Sequence, residues 1–560
     1  MNYDVILIHP PAIYDFRKRP IFPSTLATVD RIQYTKVPIG MLSIADYLDR
    51  HDYKIVIDNL ADRMVNSTDF DAEEHIKNTS ARIYAIDLHF HHHAQGAIEV
   101  ARLCKQLHPD SLVILGGLTA TYHHEEIIRK YEFIDAVIRG EAERPFLKFL
   151  RALEKNGKLT ATPNLTCRTD GGEVSITPLM PPSDNLDEFE FTRFDLLEPR
   201  TSIFPQDKPP HGSLVVCRGC TYNCAICGGS AYAYKTYLGM CKPAFRSPAK
   251  IVEDMRKLNE QGIRFIGLYQ DPRMGGEKYW KELVNSIRRA NLDIESLNMD
   301  LLAPADEEFI REVATIGKQV IFYICPDTGA CDVRKSLGRC YSNENLLNTI
   351  RICHRYHIPV TVFLSFGLAG ETDENIKETW ELWGELCKLD NAAINKGGFG
   401  SFGNYILKQG PILGPIMLDP CSLSTDFPEK YGYKKIFSNL EEYIQARFAP
   451  SWHQWLNYET EQLDKEALIE LTLESIENFI RQREKHGVYN KNNAAADYFL
   501  VRADRIAVAE VNRIMNLPDD AERESRLRCL AEAIESPISS SPSVCDPYGY
   551  RGMIEKILDC

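Results

Sequence analysis

The chain has 560 residues, 44% of them hydrophobic and 26% charged, with a net charge of −14. This is the composition of a folded globular protein of several domains. The acidic balance argues against a nucleic-acid partner, which calls for a face rich in lysine and arginine. No run of about eighteen apolar residues is available to span a membrane. Sixteen cysteines without a signal-peptide pattern point to reduced thiols and metal in a cytoplasmic protein.

Residues 1–150 alternate short β-branched runs with amphipathic stretches. Val5–Ile8, Lys54–Ile57, Ile83–Ile86, Leu112–Leu115 and Ala136–Ile138 predict strands covered on both faces. Met41–Arg50 and Gly96–Leu107 predict helices between them. Such alternation makes a doubly wound parallel sheet, whose ligands sit beyond the carboxyl ends of its strands. Those ends are unusual here. His9-Pro10-Pro11 follows the first strand, and Asp87-Leu88-His89 with His91, His92 and His93 the third. Gly116-Gly117 with Thr119 follows the fourth, and Arg139-Gly140-Glu141 the fifth. Paired glycines allow a ligand close to the backbone.

This block, with its Val37–Ser43 entry into the first helix, resembles the cobalamin-binding domain at the front of many radical S-adenosylmethionine (SAM) enzymes. The resemblance implies that Pro10, Asp87, His89, Gly116, Gly117, Thr119 and Glu141 line the cofactor. Asp87-x-His89 also looks like the start of the D-x-H-x-x-G motif whose histidine ligates cobalt. Here it follows the third strand rather than the first, and His92 stands where the glycine would be. The expectation is therefore that Asp87 and His89 pack against the corrin or its nucleotide tail, with no cobalt bond from His89. A solvated polar loop is the plain alternative for the histidine run.

Residues 151–212 read as a connector. Asp170-Gly171-Gly172 and Pro181-Pro182 are turn signals, and Asn164–Arg168 with Glu173–Ile176 predicts a small hairpin.

From Leu214 the strand–helix rhythm resumes with longer units over residues 213–420. Leu214–Val216 leads into Cys217-Arg-Gly-Cys220-Thr-Tyr222-Asn-Cys224-Ala-Ile226-Cys227. Cys220, Cys224 and Cys227 are spaced C-x3-C-x2-C. Thiolates hold iron–sulfur clusters, and a [4Fe–4S] centre usually takes four, so three ligands leave one iron open. A zinc site or packed structural cysteines are the plain alternatives. Zinc usually joins two C-x2-C pairs or a pair with histidines, and only Cys241 is at hand as a fourth ligand. Cys217, at a strand end, is either a rival ligand or packed.

The motif, with aliphatic Ile226 before its third cysteine, resembles the signature of the radical SAM superfamily, in which SAM chelates the open iron. The implied fold is a partial (β/α)6 barrel, with catalytic groups at the strand carboxyl ends. Its remaining strands are expected at Ile263–Tyr269, Glu295–Leu301, Val320–Cys325, Val360–Phe366 and near Ala392–Asn395. By the resemblance Asp271 holds the ammonium group of SAM, with the literal Gly275-Gly276-Glu277 as the second choice; an ordinary loop carboxylate is the plain alternative for either acid. Asp327 meets the ribose, Arg339 the carboxylate, Leu368 of Gly367-Leu-Ala-Gly-Glu-Thr372 flanks the adenine, and Tyr222 lies beside SAM. Gly397–Gly403 is expected at the mouth. No residue is singled out as the catalytic acid, base or hydrogen donor.

Residues 421–560 predict helices at Asp464–Lys485, Ala494–Met515 and Ala521–Ile534, read as a cap on the barrel or, more sharply, as a substrate-binding wall. The whole resembles a cobalamin-dependent radical SAM enzyme of α/β class, with a [4Fe–4S] cluster, SAM and cobalamin as cofactors. In this family a 5′-deoxyadenosyl radical takes hydrogen from an unactivated carbon and a methyl group is then delivered, C-methyl transfer being the commonest outcome. Cyclisation, ring rearrangement or oxidation, with cobalamin in another role, is the alternative within the class. A non-catalytic cobalamin and iron–sulfur sensor is the alternative outside it. The implied partners are a small-molecule, lipid or peptide substrate and an electron donor such as flavodoxin or ferredoxin.

Overall fold

A computed structural model describes residues 3–19, 33–155, 159–396, 415–488 and 491–540. Five parallel strands form the heart of the front sheet: β1 (Tyr3–His9), β2 (Ile55–Asn59), β3 (Ala81–Asp87), β4 (Leu112–Gly116) and β5 (Ala136–Ile138). Their spatial order is β5-β4-β3-β1-β2, and Val5 of β1 lies between Ile55 and Ile83. The order reverses between β1 and β3, which opens the ligand crevice of a doubly wound sheet there. His9 and Asp87 end those two strands. Alternate residues of each strand serve opposite faces. Val5, Leu7, Ile57 and Ile83 join a core that continues into the barrel. Ile6, Ile8, Val56 and Tyr84 join a second core with Ala97, Val100 and Ala101 of the helix Ala94–Leu107.

The connector builds more than a link. β6 (Leu165–Arg168) and β7 (Val174–Ile176) form the expected hairpin and extend the front sheet antiparallel from β5, Thr166 opposite Val137. β8 (Leu197–Glu198) pairs with β2 at the other edge, Leu197 opposite Ile57. Between them Phe189, Phe191 and Phe194 are buried in the core shared with the barrel. The connector thus covers both edges of the sheet, which would otherwise offer unpaired backbone.

The barrel sheet has the order β15-β14-β13-β12-β9, all parallel. Its first strand is β9 (His211–Val215), followed by a short antiparallel pair, β10 (Cys217–Arg218) and β11 (Ala244–Phe245). Then come β12 (Phe265–Tyr269), β13 (Ser296–Leu301), β14 (Gln319–Asp327) and β15 (Val360–Leu364). Leu214, Leu268, Met299, Ile324 and Val362 are buried with Ile251 and Met255 of the helix Pro248–Glu260. Ser213, Asn298, Tyr323 and Phe363, on the alternate positions, stay partly open.

The strand expected near Ala392–Asn395 is instead the end of a 20-residue helix, Ile376–Asn395. Leu382, Trp383, Leu386 and Cys387 recur at helical spacing on its buried face. Trp383 stacks on Phe479 of the helix Lys465–Lys485 at 4.7 Å, and its indole N–H donates to the Phe479 carbonyl at 3.2 Å. That packing extends the helix through a stretch whose alanines fit either state. The sixth barrel position is marked by a parallel bridge between Phe366 and Pro415. Gly397–Gly403 lies outside the described residues.

The C-terminal part begins with β16 (Tyr433–Lys435) and β17 (Tyr458–Thr460), an antiparallel pair. The Tyr458 hydroxyl donates to the Gly367 carbonyl at 3.0 Å, and the Ala369 amide donates to the Tyr433 hydroxyl at 3.2 Å. Helices Lys491–Met515 and Asp520–Ser540 complete the described chain. None of the described helices is long and apolar enough to cross a membrane.

Candidate active site

The cysteine loop leaves β9 under tight constraint. The Val216 amide donates to the Tyr269 carbonyl at 3.0 Å, and Cys217 pairs with Phe245. Cys217 is buried, with its thiol turned toward the Gly219 carbonyl at 3.8 Å, so it is packed within the strand end. Gly219 has φ +102°, and a Cβ there would lie 2.7 Å from Pro243 Cα, so only glycine makes this bend. Beyond it the Tyr222 amide donates to Cys220 Sγ and the Gly229 amide to Cys227 Sγ, both at 3.3 Å. Ala225 is tied to the Leu337 carbonyl at 3.0 Å, and Ser230 caps the helix Ala231–Tyr237.

Burial raises all three thiols, Cys227 to about 12, where Asp419 adds to the effect. A ligand set of this kind loses its protons as the metal enters, and amide donors and nearby Arg339 favour the thiolates. The three sulfurs do not lie within 4.8 Å of one another. Sulfurs about 2.3 Å from one tetrahedral zinc would be about 3.8 Å apart. The set therefore suits a cluster, whose irons sit at separate corners, better than a single ion. Cys241 is exposed.

Among the residues expected beside SAM, Asp271 is committed elsewhere. Its Oδ1 accepts from the Arg273 amide at 2.9 Å and Nε at 3.0 Å; its Oδ2 accepts from Arg273 Nη2 at 2.6 Å and the Leu302 amide at 3.0 Å. Arg273 in turn donates to the carbonyls of Ala303 and Pro304. This buried staple joins the loops after β12 and β13 and leaves Asp271 no acceptor for an ammonium. Glu277 is no substitute, because it lies 70% exposed on an outer helix beside Lys281.

Another strand-end carboxylate, assigned no role from the sequence, is Asp300, opposite Tyr323 near the end of β13. Its Oδ2 accepts from the Gln270 amide at 2.9 Å, and Oδ1 accepts from no described residue. Burial raises its pKa, with Asp271 adding to the effect. The signal was present: Asn298 and Asp300 alternate toward the lumen at a strand end.

Asp327 and Arg339 are brought together, Nε to Oδ2 at 2.6 Å. Asp327 has φ +63°, at a bulge where β14 shifts register against β15. Burial raises Asp327, Arg339 opposing, and Arg339 also neighbours Cys224 and Cys325. Leu368 is fully buried with Ala330, Val333 and Leu337, and Ile226 of the cysteine motif packs on this group together with Ile416. Tyr222 is half-buried, raised by burial and by Asp271.

The front edge is built differently. His9 Nδ1 lies 3.2 Å from Asp87 Oδ2 across the β1–β3 crevice, and its Nε2 lies 2.8 Å from the Tyr34 carbonyl. Pro10 is buried directly after it. The His89 carbonyl accepts from the Thr119 amide at 3.1 Å and hydroxyl at 2.9 Å. His89 is shifted down by burial, Asp87 opposing. Gly117 is demanded by the chain's own geometry: its φ is +109°, and a Cβ would lie 2.5 Å from the Leu88 carbonyl oxygen. A Cβ at Gly116 would meet only Ile138 O, at 3.8 Å. Glu141 is drawn toward the barrel, 3.5 Å from Arg218, whose other nitrogen pairs closely with Glu143. His93 is buried and stacked on Tyr34 at 3.8 Å, with neither ring nitrogen hydrogen-bonded. Neutral imidazoles, backbone amides and an orphaned ring suit an amide-fringed macrocycle such as a corrin.

The two edges meet. A Cβ on Gly228, directly after Cys227, would lie 2.9 Å from Leu118 Cδ2, which follows Gly117.

Residues 26–150 match the B12 binding domain model and residues 214–382 the radical SAM superfamily model. The chain is 24% identical over 362 residues to an uncharacterized methyltransferase of Pyrococcus horikoshii, covering 64% of this chain and 76% of that one. It is 26% identical over 293 residues to the anaerobic magnesium-protoporphyrin IX monomethyl ester cyclase of Rubrivivax gelatinosus, spanning half of each. The radical SAM methyltransferase TsrM of Kitasatospora setae, solved with tryptophan and a SAM analogue, superposes with a TM-score of 0.56 at 15% identity, over 91% of this chain and 99% of that one. A second domain that can hold cobalamin thus precedes a radical SAM barrel. The chain joins a B12 binding domain to a radical SAM domain in a radical SAM enzyme whose cofactors are a [4Fe–4S] cluster, SAM and cobalamin.

Proposed function

We propose that this enzyme methylates an unactivated carbon of a small-molecule substrate. The observation that carries the reading is the contact of Gly228 with Leu118, which sets the cysteine loop against the glycine turn of the front sheet. Bound, the cofactors supply a carbon-centred radical initiator and a transferable methyl group. The residues supply position. Cys220, Cys224 and Cys227 hold the cluster. Asp300, whose Oδ1 accepts from none of the described residues, takes the place expected of Asp271 as acceptor for the ammonium of SAM. Asp327 and Arg339 serve the ribose and carboxylate ends, and Leu368, Ile226 and Ile416 form an apolar wall for the adenine. Pro10, Asp87, His89, Gly116, Gly117, Thr119 and Glu141 would border cobalamin, Asp87 and His89 against the corrin or its nucleotide tail with no cobalt bond from His89; Gly117 also holds the turn in shape.

The tryptophan bound by TsrM supports a small-molecule substrate, and the acidic charge speaks for one that is not a nucleic acid. A flavodoxin- or ferredoxin-type donor in the cytoplasm completes the proposal. The decisive test is anaerobic reconstitution with SAM and reductant, reading 5′-deoxyadenosine and methylated products by mass spectrometry. The half-length match to a ring-forming cyclase favours cyclisation as the second reading. A product that has lost hydrogens and gained no methyl selects it, and no SAM cleavage at all rejects both.

A further inference from the structure

A short segment, Leu418–Asp426, touches both cofactor edges along its whole length. Toward the front sheet, the Leu418 carbonyl lies 3.3 Å from His91 Nδ1, and the Cys421 thiol lies 3.9 Å from the Leu118 carbonyl. Toward the cysteine loop, the Gly228 amide donates to Asp419 Oδ2 at 3.2 Å and the Ser424 amide to the Ala225 carbonyl at 2.9 Å. Pro420 lies so close that a Cβ on Gly228 would be 2.5 Å from its carbonyl oxygen. The segment is itself stiff. Cys421 has φ +64°, and Ser422 caps the turn Leu423–Asp426, its hydroxyl accepting from the Thr425 amide at 3.1 Å. Asn457, fully buried, both accepts from the Leu418 amide and donates to its carbonyl, each at 3.1 Å.

The segment ends on a three-way knot. The Tyr122 hydroxyl donates to Asp426 Oδ1 at 3.0 Å, and the Tyr232 and Tyr237 hydroxyls donate to Oδ2, each at 2.7 Å. Tyr122 ends the helix Leu118–Tyr122 that follows the front glycine turn. Tyr232 and Tyr237 belong to the helix that follows Cys227. Burial and Asp426 hold all three phenols protonated, Tyr232 at about 12, so they stay donors. Three charge-assisted bonds on one carboxylate are a strong, directional joint. The Tyr122 bond ties Asp426 to the front edge, and the Tyr232 and Tyr237 bonds tie it to the cysteine-loop edge.

We propose that Leu418–Asp426 is a strap that sets the spacing between cluster and cobalamin, with Asp426 as its positioning residue. This rests on the placement of the cluster in the cysteine loop and of cobalamin at the front edge. A misplacement of about 1 Å between reacting groups costs on the order of a hundredfold in rate, so a rigid ruler between the two cofactors is worth its ordering entropy.

The test is pulsed dipolar EPR on the full-length, anaerobically reconstituted protein, poised with the reduced cluster and cob(II)alamin as the two spins. Wild type should give one narrow distance. Asp426→Ala should keep both cofactors, judged by iron, sulfide and cobalamin content, while the distance distribution shifts or widens by about 1 Å or more. Tyr122→Phe, which cuts only the front-sheet tether, should move it in the same direction by less. A merely structural role would lower the melting temperature or cofactor content and leave the distance alone. An unchanged distribution in Asp426→Ala overturns the proposal. If that variant does not fold, an unchanged distribution in Tyr122→Phe does so. A wild type that takes up no cluster or no cobalamin sinks the underlying placement, a result distinct from two coupled spins whose spacing ignores Asp426.

Discussion

The barrel edge and the front edge solve the same problem, presenting a cofactor at strand ends, in opposite ways. At the barrel edge charge and metal-binding atoms gather: three separated thiols, Asp300 Oδ1, which no described residue engages, and the mutually paired Asp327 and Arg339. At the front edge most polar groups already have partners, as His9 does in Asp87 and Tyr34, and Glu143 in Arg218. The first arrangement suits ligands bonded by charge and metal coordination. The second suits a large neutral macrocycle, recognised by shape and backbone. The difference also appears in buried acids. Burial would raise Glu143, but Arg218 outweighs it and holds its carboxyl low. Glu371 on the barrel side is fully buried with no cation, accepts from the Leu368 amide at 3.1 Å, and is pushed up to about 7.

The sharpest way to break this comparison is at the thiols. Replacing Cys220, Cys224 and Cys227 together by alanine should abolish the visible iron–sulfur absorption and all SAM cleavage while cobalamin content stays at wild-type level. Retention of a full cluster would mean that other cysteines hold it. The next largest effect is expected at the glycine turn. Gly117→Val combines a positive φ with a collision on the Leu88 carbonyl, and should cost about 1–3 kcal/mol of front-domain stability as well as cobalamin. Gly116→Ala meets no protein atom closer than 3.8 Å, so it should leave denaturation unchanged. A loss of cobalamin there would place the corrin against Gly116 itself.

A smaller, more selective effect separates the two aspartates. Asp300→Asn should weaken SAM binding about tenfold to a hundredfold, the equivalent of the roughly 1.5–3 kcal/mol of a hydrogen bond to a charged group. Calorimetric titration of the cluster-loaded protein reads it. Asp271→Asn should lower the melting temperature by loosening the Arg273 staple and leave SAM affinity near wild type. The reverse pattern would restore Asp271 to the ammonium site.

The smallest effect concerns pH. The folded pKa of Glu371 lies above its unfolded value, so between about 4.5 and 7 the native state binds the extra proton. Its contribution to stability is therefore present at low pH and is lost as pH rises through about 7. Glu371→Gln should flatten that slope and stabilise the protein at pH 8 by on the order of 1–3 kcal/mol, read from chemical denaturation at pH 5 and pH 8.

The chain itself determined the local and periodic features. Strands such as Ala136–Ile138 and helices such as Lys465–Lys485, capped by Asp464, follow from side-chain periodicity and caps that act within a few residues. The C-x3-C-x2-C spacing is likewise local, and so was legible as chemistry. What only the tertiary structure decided depends on partners distant in the chain. Arg273, two residues on, is a local partner of Asp271, but the Leu302 amide that completes the staple lies 31 residues on. That Gly117 must be glycine for a reason inside the protein shows only in the Leu88 carbonyl that a Cβ there would strike. The stretch Ala392–Asn395 was strand by its neighbours' rhythm, but Trp383 packing on Phe479, 96 residues away, kept the helix going. Asp426 carried no sequence signal at all. Its three tyrosines arrive from two other elements, and a carboxylate's role is set by which donors the fold brings within reach.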